Sequence, residues 1–247
     1  MVRLLPLLVI VVLLALIQAL ASRHLLPVFL PAPSALWAAL NPGLLLTNMA
    51  ATLANAAAGF AIAAGLALAG AAIASMVAAT FSPIYNLGAT LQSIPVIATT
   101  PLLATWLGTG PPTQIVIAVL ASQFPMLAGA MQGFRAVDTR QRELFHMLSA
   151  TPLQRLRYLI LPGAAGYLFA GFKVAAPAAV LGAITAEWAG AERGVGALLL
   201  NALFSFDPPS VWLCVAAACV LAGGGYAVFA GLERLVVFWE RPVELAQ

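Results

Sequence analysis

Long apolar stretches separated by short polar ones dominate this chain. Six of them approach or exceed 18 residues, the length a helix needs to cross a hydrocarbon core about 30 Å thick. They cover approximately residues 4–21, 46–77, 84–107, 113–132, 164–188 and 211–232. None shows the alternation of polar and apolar positions that membrane β-strands have. The pattern therefore predicts an all-α membrane bundle of about six transmembrane helices, with residues 1–247 forming one domain.

Composition strengthens this prediction. Of the 247 residues, 63% are hydrophobic and only 8% are charged, whereas about a quarter of the residues of a soluble domain carry charge. The mean hydropathy is +1.02. The net charge of +3 does not indicate nucleic-acid binding, because in such a chain the basic residues mark the sides of the membrane.

The segments between and before the long stretches have their own patterns. Residues 4–21 follow Arg3 and fit either a signal peptide or a first spanning helix; we favour the spanning helix. Residues 33–40 predict a short interfacial helix, with Trp37 at the headgroup level. Residues 108–112 predict a loop, and residues 195–204 predict another short helix.

The second stretch carries two rows of small residues at a spacing of four. One row is Ala57, Ala61, Gly65 and Ala69, and the other is Gly59, Ala63, Ala67 and Ala71. Small residues at this spacing allow helices to approach closely in lipid. Packing within the bundle and contact between two copies of the chain both fit the pattern.

Polar residues inside the long stretches suggest a path for a solute. Pro95 and Pro101 should kink the third stretch. The candidate residues for a translocation path are Gln92, Ser93, Gln123 and Lys173. Lys173 fits snorkelling, pairing with a carboxylate, or contact with an anionic substrate. Glu187, at the end of the fifth stretch, fits helix packing or a gate better than a proton relay.

The distribution of arginine predicts the orientation. With both termini in the cytoplasm, the inner side carries eight arginines and the outer side carries Arg23 and Arg193. The inner arginines are Arg3, Arg135, Arg140, Arg142, Arg155, Arg157, Arg234 and Arg241. This bias agrees with the positive-inside rule.

A charged segment at about residues 135–163 interrupts the apolar pattern. It holds seven of the nineteen Asp, Glu, Lys and Arg residues, whereas residues 25–134 hold none. Asp138 can cap a helix that runs to Met147, and Thr151 followed by proline can start a second one. A Leu-Pro-Gly sequence at residues 161–163 should end it. The resulting helix–turn–helix fits docking to a partner or lying on anionic lipid.

Residues 143–162 resemble the EAA loop of binding-protein-dependent ABC transporter permeases. Glu143, Ala150 and the Leu-Pro pair at residues 161–162 match that pattern. Leu144 and Phe145 replace its two alanines, with His146 as an unusual neighbour, and Ser149 replaces its glycine. If residue 149 has a left-handed backbone conformation, serine there lowers the stability by on the order of 1 kcal/mol relative to glycine.

The resemblance extends along nearly the whole chain. Several of its segments are similar to the permeases of the nitrate, sulfonate and taurine subgroup. The matching segments are Ser93-Ile94-Pro95, Pro101-Leu102-Leu103, Trp106-Leu107-Gly108, Gly110, Gly171-Phe172-Lys173 and Ala186-Glu187. That subgroup also includes permeases for thiamine-precursor pyrimidines.

The resemblance implies a type I importer permease in the bacterial inner membrane. It implies two ABC ATPase subunits, a second permease copy and a periplasmic or lipid-anchored substrate-binding protein as partners. ATP and Mg²⁺ would be bound by the ATPase, and no cofactor by this chain. The implied ATPase contacts are Glu143, Leu144, Phe145, Met147, Ser149, Ala150, Thr151, Leu161 and Pro162.

Other classes of protein fit less well. A secondary transporter or channel subunit is the alternative, but it would favour buried acidic residues or inverted repeats. The chain has no Gly-rich loop ending in Gly-Lys-Ser/Thr, so it should not hold the ATP site itself. The apolar stretches also lack the side-chain clusters of a catalytic or metal site.

Overall fold

The computed structural model describes residues 5–22, 27 and 29–240, and this part of the chain is helical with no β-strand. Its long helices are α1 (Leu5–Ser22), α3 (Pro42–Met76), α6 (Pro111–Ala136), α10 (Ala165–Glu187) and α12 (Pro208–Val236). Of these, α3, α6, α10 and α12 are long and apolar enough to cross a membrane. The all-α polytopic prediction is therefore confirmed.

Shorter helices connect the long ones. They are α2 (Pro33–Ala39), α4 (Phe81–Gln92), α5 (Val96–Leu107), α7 (Thr139–Met147), α8 (Pro152–Arg155), α9 (Leu161–Gly163) and α11 (Val195–Phe204). Single 3₁₀ turns occur at Ala78–Thr80 and Phe238–Glu240. The predicted short helices at residues 33–40 and 195–204 are confirmed as α2 and α11. The predicted loop at residues 108–112 is shorter than expected, because Pro111 and Pro112 form the first turn of α6, where a missing N–H has no cost.

The third predicted span is a pair of helices rather than one kinked helix. The chain bends by 89° between the segment Ala78–Gln92 and α5. Pro95 lies outside both helices in an extended conformation, since proline cannot donate the next helical hydrogen bond. Pro101, by contrast, is accommodated inside α5.

Packing shows that this bent pair crosses the membrane once. Gly59 of α3 lies against Ala118 of α6, and Gly70 of α3 lies against Leu127 of α6, so α3 and α6 run parallel. Two consecutive parallel spans require the chain between them to return across the bilayer. The described residues thus contain five crossings, formed by α3, the pair α4–α5, α6, α10 and α12.

The first predicted span coincides with helix α1, half of whose side chains lie outside the described residues. Arg3, Arg23 and Arg241, which entered the orientation prediction, also lie outside them. Five crossings are described, so the expected number of about six transmembrane helices is reached only if α1 is the sixth.

Helix α6 is the centre of the bundle and packs against α3, α4, α5 and α10. Glycines permit the closest approaches: a methyl group on Gly129 would lie 2.7 Å from the carbonyl oxygen of Tyr167, and one on Gly171 would lie 2.8 Å from that of Pro125. The two rows of small residues on α3 have different surroundings. The row from Gly59 to Ala71 is buried, and the row from Ala57 to Ala69 is exposed on the single chain.

Candidate functional site: the charged loop between α6 and α10

The loop begins where Val137 turns the chain out of α6 in an extended conformation. The carboxylate of Asp138 accepts a 2.9 Å hydrogen bond from the backbone N–H of Arg140 and caps α7, as predicted. Aspartate at this position satisfies an otherwise free donor of the first turn and favours helix initiation.

Arg142 fastens α7 to the end of α6. Its Nε donates to the carbonyl of Val137 at 3.3 Å, and its Nη2 donates to the carbonyl of Phe134. The last carbonyls of a helix have no intrahelical partner, so the guanidinium satisfies groups that need a donor. Sequence reasoning did not single out Arg142, because nothing in its spacing distinguishes it from the other arginines of the loop.

A left-handed residue ends α7. Ser149 has φ of +50°, its N–H donates to the carbonyl of His146 at 2.9 Å, and the N–H of Ala150 donates to the carbonyl of Phe145 at 3.0 Å. These two bonds form a Schellman motif, whose left-handed position usually holds glycine. Ser149 therefore occupies the strained position that its alignment with the family's glycine suggested.

Thr151 restarts the helix as predicted. Its hydroxyl accepts from the N–H of Gln154 at 3.3 Å, and the Gln154 side chain accepts from the N–H of Thr151 at 2.8 Å. This reciprocal pair is a capping box, and Pro152 occupies the first helical position.

The predicted stop at residues 161–163 is wrong. After α8 the chain forms one π-helical turn, Leu156–Ile160, and continues through α9 into α10 with a single non-helical residue at Ala164. Proline is tolerated early in a helical segment, and Pro162 is the second residue of α9. The loop is therefore joined to α10 by nearly continuous helix.

Helix α7 exposes apolar side chains. Met147 is 83% exposed and Leu148 is 68% exposed, and Leu144 is also exposed, next to the exposed Glu143. Leu153, on α8, is 69% exposed. Among the other predicted contact residues, Ser149, Thr151, Leu161 and Pro162 are exposed, and Phe145 and Ala150 are half-buried. We call the set Glu143, Leu144, Met147, Leu148 and Leu153 the α7 surface.

The four predicted path residues do not form one site. Gln92 and Ser93 are exposed at the break between α4 and α5. Gln123 is buried, and its amide donates to the carbonyl of Gly88 at 3.1 Å, which ties α6 to α4. Lys173, on α10, pairs with Glu233 of α12 at 2.7 Å, which is the carboxylate pairing that was one of its predicted alternatives.

A buried polar cluster surrounds Glu187 at the opposite end of the bundle from α7. The Glu187 carboxylate accepts from the hydroxyl of Thr52 at 2.7 Å and from the N–H of Gly196 at 2.6 Å. Thr52 in turn accepts from the N–H of Val195, and Asn48 accepts from the N–H of Gly194. The first turn of α11 is thereby held to α3 and α10. Sequence reasoning predicted helix packing or a gate for Glu187 but missed Asn48 and Thr52.

Beside this cluster lies a cavity of about 570 Å³. The side chains of Asn55 and Gln114 form a hydrogen bond at its wall, and Glu192 and Arg193 line it as well. Neutral donors and acceptors and both signs of charge therefore line this cavity, at the end of the spanning helices opposite to α7.

The fold and this loop define a polytopic α-helical membrane protein with a capped helix–turn–helix between its central helices. Residues 61–238 match the family described as binding-protein-dependent transport system inner membrane component. This match covers more than half of the chain, which belongs to that family of ABC transporter permeases.

Several transport permeases are similar to the chain. It is 30% identical over 158 residues to the formylaminopyrimidine transport permease protein ThiX of Halalkalibacterium halodurans, covering 64% of this chain and 63% of that one. It is 32% identical over 149 residues to the riboflavin transport system permease protein RibX of Chloroflexus aurantiacus, covering 60% and 56%.

The taurine transport system permease protein TauC of Escherichia coli is 28% identical over 111 residues, with 45% of this chain and 40% of that one covered. This similarity confirms the taurine-type subgroup. The alignments span about six-tenths of the length of the first two relatives.

Proposed function

We propose that the chain is the transmembrane permease subunit of an ATP-driven importer for a small solute. Two copies form the pore, two separate ABC ATPase subunits bind the charged loop, and a periplasmic or lipid-anchored binding protein delivers the solute. ATP and Mg²⁺ bind to the ATPase, and this chain binds no cofactor. The complex lies in the bacterial inner membrane, with the N- and C-termini and the charged loop in the cytoplasm.

The α7 surface is the observation that carries this proposal. An exposed apolar helix face beside a carboxylate, on a helix fixed at both ends, suits insertion into a groove of a partner. The N-terminal cap and the Schellman motif fix the orientation of α7 without any partner, so little ordering entropy is lost on docking.

The connections of α7 explain how docking would move the pore. Arg142 ties α7 to the last turn of α6, and α8 leads into α10 with one non-helical residue between them. Helices α6 and α10 have the most extensive contact in the bundle. A displacement of α7 by the ATPase therefore reaches both helices, and different contacts in the two ATPase states shift the population of pore conformations.

The solute belongs to the classes that related permeases carry, either a pyrimidine-like heterocycle or a small sulfonate-like anion. The cavity beside Asn55 and Gln114 supports entry of a polar solute at the end of the bundle opposite to α7. Its amide groups and its single pair of opposite charges suit a hydrogen-bonding heterocycle or a zwitterion better than a multiply charged anion.

The test is Glu143→Lys in cells that also express the ATPase and binding protein. We expect loss of solute uptake and of ATPase co-purification, with normal membrane insertion, because the substitution reverses the only charge of the α7 surface. Gln141→Lys is the matched control, since it adds the same charge to an exposed position of α7 about 200° around the helix. Normal uptake by the Glu143→Lys variant would refute the docking assignment.

A further inference from the structure

Two adjoining hollows lie between the end of α3, the end of α6 and the start of α8. One has a volume of about 280 Å³ and is lined by Arg142 and Arg155. The other has a volume of about 220 Å³ and is lined by Arg135 and Arg142. Ser75 and Arg142 line both hollows, which we treat together as the arginine hollow.

The arginine hollow has three cations and no carboxylate in its lining. The ion pair between Lys173 and Glu233 is the only salt bridge in the described part of the chain, so none of these arginines is neutralised there. The Nε of Arg155 is buried without a hydrogen-bond partner. A buried donor of a charged group that lacks an acceptor is costly, which indicates that an acceptor from outside the chain belongs there.

The N–H groups of Arg135 and Arg142 are also available to an anion in the hollow. The guanidinium of Arg135 lies 3.4 Å from the centre of the Phe81 ring, which holds it beside the hollow and leaves its N–H groups available at the rim. Arg142 uses Nε and one Nη for the carbonyls at the end of α6, and its other Nη is uncommitted. Three guanidinium groups together can donate paired hydrogen bonds to the oxygens of a phosphate group.

The apolar lining indicates what carries the phosphate. Met76, Leu156, Leu159 and Ile160 line the hollow, which lies where two membrane-spanning helices end. Basic pockets between transmembrane helices at this depth bind anionic lipid headgroups. No residue of the α7 surface lines either hollow, so the hollow is separate from the α7 surface.

We propose that the arginine hollow binds a phosphate group, presented by an anionic phospholipid at this surface of the membrane. The headgroup phosphate lies against Arg142 and Arg155 with Arg135 at the rim, and the glycerol end of the acyl chains contacts Met76 and Leu156. The lipid then links the end of α3 to the start of α8. This proposal does not depend on the ATPase-docking role of the α7 surface.

Native mass spectrometry of the full-length chain tests the site. The chain is released from mixed micelles containing equal amounts of phosphatidylglycerol and phosphatidylcholine, and the retained lipids are counted. We expect selective retention of phosphatidylglycerol by the wild type and about a fivefold loss of that selectivity for each arginine removed. The variants are Arg155→Gln and Arg135→Gln; the second changes an exposed residue, which limits its effect on folding, although it also removes the contact with the Phe81 ring.

Arg157→Gln is the matched control, because Arg157 is exposed and does not line the hollow. Equal loss of phosphatidylglycerol selectivity in the Arg157 and Arg135 variants would overturn the proposal, as would a wild type that retains both lipids equally.

Two further results would identify another ligand. Displacement of phosphatidylglycerol by millimolar inorganic phosphate would show a site for the free ion instead of a lipid. An Arg135→Gln variant with normal lipid retention but impaired ATPase co-purification would show a protein carboxylate as the acceptor, and would also overturn it.

Discussion

The hydroxyl of Thr52 donates a 2.7 Å hydrogen bond to Oε1 of Glu187, between residues that lie 135 positions apart in the sequence. Both side chains are inaccessible to solvent, with exposures of 0% and 1%. The other carboxylate oxygen accepts from the N–H of Gly196, so the side chain lies at the N-terminal end of α11, where the first N–H groups of a helix need acceptors. One carboxylate thus connects three helices.

Glu187→Ala should destabilise the protein markedly. The substitution leaves the Thr52 hydroxyl and the Gly196 N–H buried without an acceptor, which costs about 1–3 kcal/mol for each group. Thermal unfolding in detergent, followed by circular dichroism, should show a clearly lower midpoint. Glu192→Ala removes an exposed carboxylate as the control and should leave the midpoint within about a degree of the wild type; equal midpoints for both variants would contradict this role of Glu187.

Ser149→Gly should stabilise the protein by about 1 kcal/mol, because glycine adopts the left-handed conformation of residue 149 without strain. The control is Ala150→Gly, at the neighbouring position, which does not have a positive φ. There the added freedom of the unfolded chain should lower stability. Midpoints of thermal unfolding measure both effects, and a lower midpoint for Ser149→Gly would show that the serine hydroxyl has a contact that outweighs its backbone strain.

Lys173 and Glu233 should behave as a pair. Lys173→Met alone leaves the Glu233 carboxylate without its partner, and Glu233→Gln alone does the same to the ammonium group. The double variant should lose less stability than the two single variants together, with a coupling of at least about 0.5 kcal/mol.

Solute uptake tests whether Lys173 contacts the solute in addition to pairing with Glu233. If the residue only joins α10 to α12, the double variant should import at nearly the wild-type rate. A stable double variant with no uptake would place Lys173 in contact with the solute, and additive losses of stability would show that the ion pair contributes nothing.

The proposed orientation predicts which side of the membrane reaches the loop. In a background with Cys214 and Cys219 replaced by serine, a cysteine at His146 should react with an impermeant maleimide only after the cells are opened. A cysteine at Glu192, at the opposite end of the bundle, should react in intact cells. Both sites are exposed, and reversal of the two reactivities would invert the topology.

The pattern of apolar residues predicted α3, α6, α10 and α12 closely, because each span must satisfy its own backbone in lipid and needs only length and hydrophobicity to do so. The caps of α7 and α8 were equally predictable. Asp138 and Thr151 act on donors two or three residues away, so their effect depends on local sequence alone.

Other features could not be read from the pattern. The 89° bend at residues 93–95 was expected only as a kink, since proline disrupts a helix without setting the angle that neighbouring helices impose. The continuation through Pro162 depends on a π-helical turn that no local signal marks. The pairing of Lys173 depends on the position of Glu233, sixty residues away.

By itself, the sequence determined that this protein is a bundle of membrane helices with a capped, charged loop, because hydrophobic length and helix capping act over a few residues. The tertiary structure decided which polar groups meet. The Thr52–Glu187 contact, the attachment of Arg142 to α6 and the arginine hollow each join segments distant in sequence, and such contacts depend on how the helices pack.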